Sequence, residues 1–259
     1  MPHLAAAARD GSFRAFKREL ARLDSAGALP FEPSWRRDVR AAQRAAERRS
    51  RSLLRGKRVV IVGPADYAAG AGKGPMIESF DLVARVNFQW PVPPELAADF
   101  GTRMDILYHC CNGDYPVELL ARPGFENTLF ACVEHNLQSL RLKNCCRSRG
   151  VLVFYYPQRL YRRLSARLGF PPSTGLAAVQ HLLSLPIREL LIYGMTFLTT
   201  PYYPGYTGDA ARGGHWGAGV PESIWQHNPR AELHYIRRLL RHDRRATLDP
   251  RAAALTSAY

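Results

Sequence analysis

Nowhere in the 259 residues do eighteen apolar side chains run together, so no bilayer-spanning helix is expected. The opening Met1-Pro-His-Leu-Ala-Ala-Ala-Ala-Arg-Asp10 has no basic leader followed by an apolar stretch, so no secretory signal is expected either. Cysteine is scarce and odd in number: Cys110, Cys111, Cys132, Cys145 and Cys146, with no CxxC and no Cys/His spacing suited to zinc. Reduced thiols are expected rather than a disulfide framework. No D-x-D pair occurs, so no metal site and no bound cofactor are expected. Acidic residues are also few. Against 36 Lys and Arg there are 22 Asp and Glu, a net charge of +14. Such a surface attracts phosphates, acidic glycans or an anionic membrane face, although a plain arginine-rich composition would give the same number. There is no internal repeat, no RNP-like aromatic motif and no helix-turn-helix signature, so nucleic acid is not an expected partner.

The apolar fraction of 46% suffices for one sizeable core. Residues 1–55 carry an Ala/Arg bias and no strand pattern. Phe13, Phe16, Leu20 and Leu23 recur at helical spacing, and Arg36 to Arg55 reads as a second, very basic helix with a thin stripe of Val39, Ala42, Ala46 and Leu53. This segment is read as a helical appendage, either packed weakly on the rest or lying on an anionic membrane. From 56 to 259 the pattern is that of one domain. Arg58-Val-Val-Ile-Val-Gly63 is a short apolar run ending in glycine, as a buried parallel strand requires. Further strands are expected at 81–85, 104–108, 128–133, 151–155 and 189–193, with helices at 157–168 and 175–185. Alternation of this kind predicts an α/β fold: a doubly wound, mostly parallel, Rossmann-like sheet that binds its ligand beyond the carboxyl ends of the strands.

The first strand runs into Gly63-Pro-Ala-Asp-Tyr-Ala-Ala-Gly70-Ala-Gly72-Lys73-Gly74. Glycines after a strand allow backbone N–H groups to approach a phosphate, but they also make ordinary turns. The spacing is neither G-x-G-x-x-G nor G-x-x-x-x-G-K-[ST], which disfavours an NAD enzyme and a P-loop NTPase. The continuation is more specific. From Gly63 to Asn87 the chain resembles the long motif of the sialyltransferases, glycosyltransferase family 29. Gly63, Gly70, Gly72, Gly74, Ile77, Ser79, Asp81, Val83, Arg85 and Asn87 match at fixed spacing across 25 positions. The resemblance implies a single-domain, GT-A-like variant without a metal motif, in which this stretch binds a cytidine nucleotide. It assigns donor contacts to Gly63, Ala65, Gly72 and Asn87, with Arg85 in support or fixing the strand end. Pro64 stands where the family has Asn, which removes one polar side chain from the donor side. Asp99-Phe-Gly-Thr-Arg103 loosely resembles a further family stretch and otherwise reads as a loop before a strand.

Pro172-Ser173-Thr174-Gly175 opens a helix, where Ser and Thr serve as caps and where a dipole and free amides also favour an anion. Together with Leu190-Leu-Ile-Tyr-Gly194 it resembles the family's short motif, which implies nucleotide contacts for Ser173, Thr174 and Gly175. At the positions of the disulfide that joins the two motifs in animal members, this chain has Val59 and Ile187. With no anchor segment, that points to a cytoplasmic, bacterial-type relative. His215-Trp-Gly217 partly matches the family's third motif, and His227-Asn-Pro-Arg-Ala-Glu232 has the spacing of its last. Asn228-Pro229 is a good helix start, so a helix is expected from there to about Arg241. A histidine before a cap is most often a surface or hydrogen-bonding residue. By resemblance His227 is the general base, His215 stabilises the departing phosphate, and Glu232 orients the loop or the histidine. Tyr202, Tyr203 and Tyr206 either shape the acceptor pocket or pack.

The implied reaction is inverting transfer of an acidic sugar, sialic acid or a related 3-deoxy-ulosonic acid, from a CMP-sugar to a hydroxyl of a glycan or glycolipid. Kdo is a competing donor. A non-catalytic basic module for RNA or membrane is the remaining alternative.

Overall fold

The structure is a computed structural model, and it describes residues 44, 45, 47–87, 91–110, 129–132, 156–204, 206 and 227–257. The expected strand at 151–155, the first expected helix and His215 lie outside those residues.

Ala46–Tyr259 form one compact unit. Its centre is a six-stranded, wholly parallel sheet of β1 (Arg58–Val62), β2 (Leu82–Val86), β3 (Ile106–His109), β4 (Leu129–Cys132), β5 (Glu189–Tyr193) and β6 (Ala246–Leu248). Spatially the order is β4-β3-β2-β1-β5-β6. The winding reverses between β1 and β5, which opens a crevice beyond their carboxyl ends. The helices are α1 (Gly74–Glu78), α2 (Ala97–Phe100), α3 (Gln158–Leu168), α4 (Thr174–Leu183), α5 (Pro229–His242) and α6 (Pro250–Thr256).

β1 shows why this sequence makes a central strand. Val59 and Ile61 face one side of the sheet, while Val60 and Val62 face the other, and all four are fully buried. On the first side they pack with Leu164 of α3, Leu176 and Leu182 of α4, and Leu233 and Ile236 of α5. On the second they meet Ile77 of α1, Phe100 of α2 and Ala252 of α6. Val59 and Ile187 lie in the same apolar cluster. Among residues 47–54, which are helical, Leu54 is the one fully buried; of the stripe expected from sequence Leu53 is exposed, and Val39, Ala42 and Ala46 lie outside the described residues.

β6 and α6 were not anticipated. Three residues are too few to show alternation, and the strand is held by its flanks. Arg245 pairs with Asp243 and donates to the carbonyls of Leu183 (2.7 Å) and Leu185 (3.1 Å). Asp249 then caps α6 by accepting from Ala252 N at 3.0 Å.

The crevice depends on a close backbone approach. A Cβ on Gly63 would lie 2.4 Å from the carbonyl oxygen of Gly194 and 2.2 Å from Cγ of Met195. Gly194 has φ +65, and a Cβ there would meet the Gly63 oxygen at 2.7 Å. Gly56 also has positive φ, +69, but faces open space. Gly63→Ala should therefore cost about 3 kcal/mol in denaturant unfolding, because backbone must move, whereas Gly56→Ala should cost about 1 kcal/mol, from its dihedral alone. Equal losses would show that the approach at 63 and 194 is not a constraint.

Candidate active site

The turn after β1 is held by the backbone at the end of β5 and after it. Gly63 N donates to Tyr193 O (2.8 Å), Ala65 N to Gly194 O (2.9 Å) and Asp66 N to Pro201 O (3.1 Å). Farther along, Gly70 N and Gly72 N both donate to the Asp99 carboxylate, at 2.7 and 2.8 Å, in a turn where both glycines have positive φ. Those two donors hold the Asp99 carboxyl below its ordinary range. The amides expected to face a phosphate are thus engaged within the protein, and what the turn offers a ligand is its shape. The signal that would have revealed this is Asp99 itself, the first residue of the loosely matching Asp99–Arg103 stretch.

Arg85, on β2, is fully buried. Its guanidinium donates to the carbonyls of Arg103 (2.9 Å), Phe100 (2.8 Å) and Gly101 (3.1 Å), so it fixes the loop after α2. Burial lowers its pKa to about 10, which leaves it charged at neutral pH. Asn87 follows at the strand end with φ 49. Its N–H donates to Tyr108 O (2.7 Å), and its side-chain oxygen accepts from Cys110 N (3.1 Å).

The amino end of α4 meets the same crevice. A Cβ on Gly175 would lie 2.3 Å from Cε of Met195, the side chain that also crowds Gly63. One methionine therefore sits under both glycine-bearing turns and brings them together. Ser173 caps the helix by accepting from Leu176 N at 3.2 Å. The amides of Thr174 and Gly175 are left at the positive end of the dipole, the arrangement that binds an anion.

α5 is docked here through Glu232. Ser173 N donates to Glu232 Oε1 and the Ser173 hydroxyl to Oε2, both at 2.6 Å. This carboxyl is almost wholly buried, and that burial raises its pKa to about 7 in spite of the two donors. Asn228 caps α5 by accepting from Ala231 N (3.0 Å), which fixes the entry of His227 just before the helix. His227 Nδ1 lies 2.8 Å from the carbonyl oxygen of Pro171. A carbonyl can only accept, so Nδ1 carries the proton and Nε2 keeps its lone pair. Burial lowers the His227 pKa, and the Pro171 bond partly opposes that. The histidine expected from sequence thus lies beside Pro171, two residues from Ser173; the carbonyl that sets its tautomer carries no sequence signature.

The tyrosine loop closes over the β1 turn. Tyr203 N donates to Pro64 O (2.9 Å), Tyr202 bridges to Ala65, and the Tyr206 hydroxyl donates to Val86 O (3.1 Å) next to Asn87. Burial, with the neighbouring Glu232 carboxylate, pushes the Tyr202 hydroxyl pKa up. Gly63 and Gly175 thus share Met195, Ala65 is hydrogen-bonded to Gly194, Ser173 to Glu232, and His227 to Pro171 two residues before Ser173, while Tyr206 bonds to the residue before Asn87. Gly72 stands on the Asp99 side. Among the described residues no three His, Cys, Asp or Glu side chains cluster as a metal site would need.

Glu232 gives a measurable pH signature. Its folded pKa of about 7 exceeds the ordinary 4.5. The stability it lends is therefore complete below pH 4.5 and lost as pH rises through 7. Urea unfolding should show this group removing about 2–3 kcal/mol between pH 5 and 8. Glu232→Gln should flatten that slope, and an unchanged slope would mean the carboxyl ionises freely.

No family model matches the chain, and no curated protein matches it. Among solved structures, a crystal structure of a mammalian sialyltransferase in complex with Gal-beta-1-3GalNAc-ortho-nitrophenol is similar with a TM-score of 0.51. The identity is 17%, over 76% of this chain and 71% of that one. A second mammalian sialyltransferase structure gives a TM-score of 0.49 at 16% identity, covering 74% of this chain and 68% of that one. At such identities the likeness is one of architecture. The chain has a sialyltransferase-like fold.

Proposed function

We propose that the chain is an inverting, metal-independent glycosyltransferase that moves sialic acid or a related 3-deoxy-ulosonic acid from a CMP-sugar to a hydroxyl of a glycan or glycolipid. The observation that carries this reading is the meeting, at the reversal point of the sheet, of the amino end of α4, with the amides of Thr174 and Gly175 at its positive pole, and a histidine whose tautomer is fixed. The likeness to sialyltransferase structures supports the same class.

In this reading the donor phosphate sits at the amides of Thr174 and Gly175, with His215 also stabilising its charge. Gly63, Ala65 and Gly72 shape the nucleotide side, and Asn87 presents its amide NH2, since its oxygen is already engaged. Ser173 and Glu232 hold α4 and α5 in register. His227 Nε2 takes the proton of the acceptor hydroxyl as that oxygen bonds to the anomeric carbon. The bond from this carbon to the phosphate oxygen breaks, and CMP leaves. Attack opposite the leaving group inverts the centre. The enzyme acts on the cytoplasmic side and uses no bound cofactor.

CMP should raise the melting temperature, while UMP, GMP and NAD should leave it unchanged, because only the cytidine nucleotide binds. Equal effects of all four would sink the donor assignment. Separate assays with CMP-sialic acid and CMP-Kdo then identify the sugar. His227→Ala should lower kcat about 10²–10⁴-fold with the fold retained. In the wild type, the acid limb of kcat should fall at a pH below the 6.5 of an ordinary imidazole, in keeping with the lowered pKa. Near-normal turnover by the alanine variant would remove His227 from the role.

A further inference from the structure

Helices α3 and α5 lie side by side against the same core, and their outward charges are of one sign. α3 reads QRLYRRLSARL and has no acidic residue, and the one acid of α5, Glu232, is buried. Arg162, Arg163, Arg167, Arg230, Arg238 and Arg241 are all exposed. Among the described residues none of the six forms an ion pair; Arg159 alone on these helices does, with Glu47 at 3.3 Å. A solvated face would normally mix signs to limit this repulsion.

Two further features separate this face from a mere excess of arginine. Between α3, α4 and α5 is a recess of about 110 Å³ lined by Leu160, Arg163, Leu164, Arg167, Gln180 and Tyr235. Arg163 and Arg167, one helical turn apart on α3, line it together with Leu160 and Leu164, and the Tyr235 hydroxyl bonds to Gln180 at its side. Arginine pairs of this kind suit a phosphate oxygen better than a diffuse counter-ion. Then, directly after the Gly169 cap of α3, Phe170 is 44% exposed, one of three large apolar side chains so exposed among the described residues. An aromatic side chain beside a basic helix face is what a peripheral protein presents to the headgroup layer.

We propose that the α3–α5 face docks onto an anionic lipid bilayer, with a headgroup phosphate seated between Arg163 and Arg167 and Phe170 entering the interface. This holds whether or not the glycosyltransfer reading does. If that reading also holds, the consequence is specific. Phe170 is joined to Pro171, whose carbonyl holds His227, so docking sets the acceptor side of the cleft at the lipid surface, where a glycolipid would be.

The test is co-sedimentation of the full chain with vesicles of phosphatidylcholine alone and of phosphatidylcholine with phosphatidylglycerol. Binding should require the anionic lipid and be lost at about 0.5 M NaCl. Arg163→Gln with Arg167→Gln should weaken it about 25-fold, each charge near the surface contributing about fivefold. Phe170→Ser should weaken it about fivefold at constant charge. Arg55→Gln with Arg188→Gln removes the same charge from exposed positions outside these helices and should have little effect. Equal loss in both double variants would reduce the effect to net charge and overturn the proposal. So would equal binding to neutral vesicles, no binding at all, or retention on RNA without binding to vesicles. Melting temperatures of the variants confirm that each is folded, and CMP stabilisation, read separately, reports on the donor site alone.

Discussion

Everything at the crevice rests on one close approach, that of the backbone at Gly63 to the backbone at Gly194. With no side chain at either position, the turns after β1 and β5 nearly touch, and Met195 is drawn into the gap. The same methionine then lies against Gly175, so the helix that follows is aimed at the reversal point of the sheet. The order of strands makes a crevice possible there, as in any doubly wound sheet. The glycines decide how narrow it is and which helix end faces it.

The second organising theme is the use of scarce carboxylates. In a chain with an excess of 14 positive charges, Glu78, Asp81, Asp99, Asp105, Glu232 and Asp249 each accept a backbone N–H. They close turns and strand ends that would otherwise leave amides unsatisfied. Arginines divide between those that hold the backbone and those that face solvent. Arg85, Arg103 and Arg245 donate to backbone carbonyls, whereas those of α3 and α5 project into solvent. These acids are committed to the backbone, and none of them stands on the outer faces of α3 and α5, which are left uniformly basic.

β1, β2 and β5 were readable because buried parallel strands are short apolar runs, and α5 because Asn228-Pro229 announces it. β6 was not, since its stability comes from Arg245 and Asp249 on either side rather than from its own three residues. Much of the long-motif resemblance proves to encode architecture: Gly63 serves a close approach, Gly70 and Gly72 the Asp99 clasp, and Gly74 the contact of α1 with α2, where a Cβ would lie 2.6 Å from two carbonyl oxygens. Asp81 anchors Arg58 N, and Arg85 the loop at 100–103. Such a motif can be read for fold with no ligand in view. What sequence could not supply was the partner of His227, because a main-chain carbonyl belongs to every residue alike.

The Asp249 carboxylate also imposes an order on how the molecule comes into being. It accepts from the Tyr67 hydroxyl at 2.5 Å and from Gly194 N at 3.1 Å, and the first of these contacts joins residues 182 positions apart. During synthesis from the amino end, β1 and its turn emerge long before the acid that steadies them. Until residue 249 has emerged, neither the Tyr67 hydroxyl nor the amide of Gly194 has this carboxylate to bond to. The cleft therefore matures only after Asp249 is in place, and a nascent chain halted before residue 249 would carry most of a sheet without this clasp.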